Sequence, residues 1–241
     1  MKSLALVLIP LAAAGAFAAE RDRGPGLPGE RHGHALVYAA RDFDSISLGG
    51  AAKVVVRAGP AFAVRAEGPA AAFGNFRVAR TGRTLDIGHR YDGRRNPLEE
   101  RITVYVTLPA LAAASVGGSG TIDADRAGGA RFAGSVGGSG VLRVARLDAR
   151  DVHLSMGGSG EIAAAGTVGA LEASIGGSGR LAAPNLHARS AAVSIGGSGS
   201  VRADVQGPAS VSIAGSGSVD LGPGSRCKVS KVGSGTVRCG G

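Results

Sequence analysis

Five carboxylates fall close together in the chain, Asp123, Asp125, Asp148, Asp151 and Glu161, with His153 among them by count. Two Asp or Glu side chains flanking a glycosidic bond supply the acid and the base or nucleophile that cleave polysaccharide, so a lyase or hydrolase would be built from such a set. Against this, neighbouring repeats carry Ala at the outward position that Asp123 occupies, and Asp, His and Arg near turns are ordinary solvent-facing residues. No spacing of the many serines and five histidines suggests a nucleophilic triad. The stretch GGSGTIDAD, from Gly117 to Asp125, invites comparison with the calcium-binding nonapeptide, but Ile122 stands where that motif needs Asp and the period is about twice too long. No Gly-Lys-Ser/Thr phosphate loop occurs. The reading is therefore non-enzymatic, with no cofactor and no metal site.

Cys227 and Cys239 are the only cysteines. The first residues, MKSLALVLIPLAAAGAFAAERD, have a basic start, an apolar core and a small-x-small site at Ala16–Ala18, which is the pattern of a secretory signal peptide over residues 1–18. Export puts both cysteines in an oxidising compartment, where a disulfide is the default; four metal ligands are not at hand. No later apolar run reaches the ~20 residues of a membrane helix. The chain is exported on this reading, to the periplasm or the cell surface.

The net charge is +9. A basic exported protein attracts acidic neighbours, an acidic polysaccharide or the cell-envelope surface among them. Nucleic acid is disfavoured, because aromatics make up only 4% of the chain and Trp is absent, which leaves little for base stacking.

The elements that must position these residues are written in a repeat. Gly-Ser-Gly recurs with its serine at Ser119, Ser139, Ser159, Ser178, Ser198, Ser216 and Ser234, at spacings of 20, 20, 19, 20, 18 and 18 residues. A near-constant period of this length marks a solenoid. Three residues after each serine stand Ile122, Leu142, Ile162, Leu181, Val201, Val219 and Val237; three before come Val116, Val136, Met156, Ile175, Ile195 and Ile213, with Lys231 breaking the file. Even offsets are polar or small. Alternation with period two means strands with one face inward, entering and leaving a bend in every coil. Gly118, Gly138, Gly158, Gly177, Gly197, Gly215 and Gly233 then serve as structural corners, where backbone angles and close stacking both favour glycine. Cys227 and Cys239 have inward parity, so their bond crosses the last coil and, with Lys231, caps it.

Residues 19–40 are charged and rich in Gly and Pro at first, and read as a flexible lead-in. Residues 41–241 read as a single β-solenoid domain: 41–110 as less regular coils or a cap, 111–241 as regular coils. Residues 89–101 interrupt the strand pattern as a solvated excursion.

The run FDSISLGGAAKVVVRAG, followed by VRAEG, TLDIG, ITVYVTLP and the serial S-x-G-G-S-G corners, resembles the bacterial family "putative autotransporter adhesin, head GIN domain" over about residues 41–238. The resemblance implies an all-β, right-handed parallel β-helix with three faces, exported to the envelope, and brings no ligand or catalytic residues with it. The function expected is an envelope-associated, adhesin-like binding protein; the rivals are a polysaccharide lyase or hydrolase and a purely structural envelope protein.

Overall fold

The computed structural model describes residues 26–90 and 97–240. The leader at 1–18 lies outside the described residues. In the chain's strand-forming segments, inward Val, Ile, Leu and Ala alternate with outward polar residues, and almost every segment becomes a strand. The strands are β1 (Gly29–His32), β2 (Ala35–Tyr38), β3 (Ser45–Gly49), β4 (Lys53–Ala58), β5 (Ala63–Glu67), β6 (Phe76–Thr81), β7 (Thr84–His89), β8 (Thr103–Leu108), β9 (Ala113–Val116) and β10 (Thr121–Ala124). They continue with β11 (Ala127–Val136), β12 (Val141–Gly158), β13 (Glu161–Gly177), β14 (Arg180–Gly197), β15 (Ser200–Val205), β16 (Pro208–Gly215), β17 (Ser218–Asp220), β18 (Arg226–Val232) and β19 (Thr236–Arg238).

From β9 onward the chain is a parallel β-solenoid of about six turns. On one face β9, β11, β12, β13, β14, β16 and β18 stack in parallel; on the next, β10, β12, β13, β14, β15, β17 and β19 do the same. A third face, from β11 to β15, aligns Gly129, Ala149, Val168, Ala188 and Val205. Ile122, Leu142, Ile162, Leu181, Val201, Val219 and Val237 occupy one ladder, and the first six are at most 2% exposed. Burying each such side chain is worth about 1.5–3 kcal/mol, so the files form a continuous core although Gly and Ala are abundant.

The N-terminal part holds one further coil and a set of antiparallel strands. β3 and β4 build a coil in register with the regular ones: Leu48 aligns with Val116, and Val54 with Ile122. β7 and β8, later in sequence, stack on the outer side of that coil. The chain then returns to the inner side to continue with β9 and β10. Antiparallel strands close this end, β6 on β7, β5 on β8, β2 on β5 and β1 on β2. Within the stretch read as a lead-in, residues 29–38 form a hairpin whose Ala35 and Tyr38 are buried, because alternating ALVY has an apolar face to place against the cap. Between β7 and β8, residues 91–96 of the expected excursion lie outside the described residues, whereas Glu99 is buried against Gly50 of the next coil.

Candidate functional site

Close approach explains the corners. A Cβ on any of the seven corner glycines would run into the carbonyl oxygen of the corner one coil before; at Gly158 it would fall 2.5 Å from Gly138 O. Positive φ is a narrower demand, appearing from Gly158 (+146°) onward but not at Gly118 or Gly138. The backbone ladder passes through the bend, for example Ser159 N–H to Gly138 O at 3.0 Å. Because every corner stacks, the side chains beyond it repeat along the stack at about 4.8 Å.

This regularity brings basic side chains together near the C-terminal end of the second face. Arg180, Ser200, Ser218 and Thr236 share one outward file, and Ala182, Arg202, Asp220 and Arg238 the next. They line an open groove of about 560 Å³. Small residues stand among the arginines along its lining: Ala182, and Ser200 and Ser218 in the hydroxyl file. One wall is Pro184, in a stretch that the following coil lacks, so the register shifts between Ala183 and His187. The shortening from 20 to 18 residues per coil thus produces a step, and the step gives the groove its edge. Three guanidinium groups face one carboxylate there. Asp220 is only loosely held, with Arg202 Nε 3.9 Å from its Oδ2 and the Gly222 N–H donating to its Oδ1 at 3.3 Å.

The carboxylates that could have made an acid pair are placed otherwise. Asp123 sits between Lys53 (3.3 Å) and Arg143 (3.3 Å), Asp125 accepts the Ala58 N–H, and Asp151 meets Arg150 (3.2 Å). In register Asp148 faces Gly128 and Thr167, Asp151 faces Arg131 and Ala170, and Glu161 faces Val141 and Arg180. His153 pairs with Glu172 at 2.9 Å, a partner that the count along the chain did not suggest. Each carboxylate is matched to a cation, a backbone donor or a neutral neighbour, the arrangement of a solvated face. No group of three or more His, Cys, Asp or Glu that could hold a metal occurs among the described residues.

A second cleft, of about 420 Å³, opens at the N-terminal cap between the β1–β2 hairpin and β6. Leu36, Tyr38 and Phe76 give it an apolar wall, and Arg77 and Arg90 border it. Burial pushes the Tyr38 phenol up to about 12, so it stays neutral there. At the opposite end Cys227 and Cys239 are bonded, closing the last coil. Both the groove and the cleft went unseen in the sequence; the drop in coil length after Ser198 was the one signal for the groove.

No helix among the described residues is long and apolar enough to cross a membrane. No curated protein matches the chain. Among solved structures, a putative adhesin from Bacteroides fragilis NCTC 9343 is similar at a TM-score of 0.79 and 20% identity, over 85% of this chain and 95% of the other. A putative lipid binding protein from Parabacteroides distasonis ATCC 8503 gives 0.62 at 21% identity, and a putative adhesin from Parabacteroides merdae ATCC 43184 gives 0.61 at 16%, with the same shares covered. At these identities the likeness is one of fold. The family model described as "Putative auto-transporter adhesin, head GIN domain" matches residues 42–241, and the chain belongs to that family.

Proposed function

We propose that this is an exported, non-enzymatic binding protein of the cell envelope, adhesin-like, whose ligand is an acidic polysaccharide lying along the second face of the solenoid. One observation carries the reading: the groove combines Arg180, Arg202 and Arg238 with a file of hydroxyls, Ser200, Ser218 and Thr236, that repeats at the coil spacing. Guanidinium groups bind carboxylates through paired N–H donors, and hydroxyls can donate to or accept from sugar hydroxyls. A polymer crossing successive coils meets a hydroxyl on each of three coils about 4.8 Å apart, with Arg202 and Arg238 two coils apart on either side of Asp220, so weak contacts add along its length. The net charge of +9 draws an anionic chain toward the surface. The rival enzymatic reading lacks a facing pair of carboxylates among those the sequence singled out.

The test is binding of the purified protein to a uronate-containing polysaccharide, with a neutral glucan as control, at low and at physiological salt. Binding is expected to weaken as salt rises and to fall about tenfold or more in Arg180→Ala/Arg202→Ala/Arg238→Ala. No uronate binding at low salt, or a triple variant that binds like the parent, overturns the proposal. A lipid ligand is the second reading, favoured by the apolar cleft at the cap and by what one structural neighbour is said to bind. Its mark would be detergent or fatty-acid binding that persists in the triple variant.

A further inference from the structure

The two ends of the stack differ. At the N-terminal end antiparallel strands cover the interior files. At the C-terminal end β18 pairs with β16 alone, and among the described residues no strand lies against its other edge. The effect on burial is direct. In the file that ends at Val229, Val193 and Val211 are 4% and 2% exposed, whereas Val229 is 49% exposed. Val232, beside the last corner, is 75% exposed. These two are the exposed large aliphatic residues among those described. Around them β18 carries Arg226, Lys228 and Lys231, and the Cys227–Cys239 bond holds the rung in shape.

An open strand edge offers a row of unpaired N–H and C=O groups to any extended chain. Charge decides which chain can use it. A second copy pairing β18 with β18 would crowd Arg226, Lys228 and Lys231 of both copies onto one short ladder with no carboxylate on either strand, and that concentration of like charge is destabilising. Head-to-tail stacking fares no better, since the far edge of the same face is β6, with Arg77 and Arg80. The cations thus work against self-association and favour a strand of opposite sign.

We propose that the β18 edge is a docking site for an extended acidic peptide segment of another protein, which adds one further rung in parallel. The register specifies the guest: an aliphatic residue over Val229, another over Val232, and carboxylates over Lys228 and Lys231. Lys231 now donates to Gly235 O at 2.8 Å and would exchange that carbonyl for a carboxylate. The site is separate from the groove and does not depend on what the groove binds.

The probe is the capped peptide Glu-Val-Glu-Val-Ser-Glu-Val, compared with Lys-Val-Lys-Val-Ser-Lys-Val, on the intact protein. Amide hydrogen exchange should slow in β18 when the acidic peptide is added, with no change in β12 and β13. The acidic peptide should bind roughly tenfold or more tightly than the basic one. Lys228→Glu/Lys231→Glu should reverse that preference while the melting temperature stays near the parent's; if that variant fails to fold, Lys228→Gln should still erase part of the preference. Unchanged β18 exchange at millimolar acidic peptide overturns the proposal. Equal affinity for the two peptides overturns it as well, as does concentration-dependent dimerisation of the parent through β18.

Discussion

At the scale of single residues, the protein separates positions that hold the stack from positions that decorate it. Gly158 has φ of +146° and room for no Cβ, because Gly138 O would lie 2.5 Å away. Arg143 is exposed, and its partner Asp123 keeps Lys53 if the arginine is lost. Gly158→Val should therefore cost roughly 3 kcal/mol, through backbone strain and displaced coils. Arg143→Ala should cost under about 1 kcal/mol, the usual worth of an exposed pair. Urea unfolding midpoints of the two variants check this, and equal midpoints would contradict the role given to the corner. The corner glycine was legible in the sequence because the repeat shows it seven times over, and Arg143 was legible as outward because its position alternates with the apolar files. The Glu172 partner of His153 was not, since it depends on which neighbour the next coil happens to offer.

At the scale of elements, Asp44 ties three strand starts together. Arg83, in the turn between β6 and β7, donates to Asp44 Oδ2 through Nε at 2.9 Å and through a terminal nitrogen at 2.6 Å. The Ser45 hydroxyl donates to Oδ1 at 2.9 Å, and the Ala112 N–H, just before β9, donates to the Asp44 carbonyl at 2.8 Å. Partial burial alone would push the Asp44 carboxyl up; the hydrogen bonds and charge of Arg83, with Ser45, outweigh it and hold the group below the usual carboxylate range. A carboxyl depressed in the folded state contributes stability above its unfolded pKa, and that contribution disappears as pH falls through the folded value. Asp44→Asn should lower the melting temperature modestly at pH 7, and the gap to the parent should close on acidification below the carboxylate range. Melting curves from pH 7 to pH 3 read it; a gap constant across that range would show that the charge of Asp44 does nothing. Sequence alternation revealed β3 and β9 as strands, but nothing in it placed the 81–84 turn beside them.

At the scale of the whole molecule, a solenoid is stabilised rung by rung, each resting on its neighbours, so its ends are its weakest parts. The last rung has a neighbour on one side only, and a bond between Cys227 and Cys239, 12 residues apart, closes it. Cys227→Ser/Cys239→Ser should cost up to about 3 kcal/mol of local stability. Amide exchange should quicken in β18 and β19 while β12 and β13 keep their protection. A uniform loss of protection would mean that the coils open as one body. The same picture divides what was written in the chain from what was not. Coil length, strand parity, the inward files and the glycine corners were fixed by local chemistry repeated many times, and a period of about 20 residues admits few other folds. The order of the stack at its N-terminal end, where β7 and β8 pass outside β3 and β4, could emerge only in three dimensions, because pairing partners there are set by which apolar faces remain uncovered. The groove beside Pro184 and the open edge of β18 belong to the same class. Each arises from a neighbouring coil that is shorter or missing, and a residue's own sequence cannot record what stands above it.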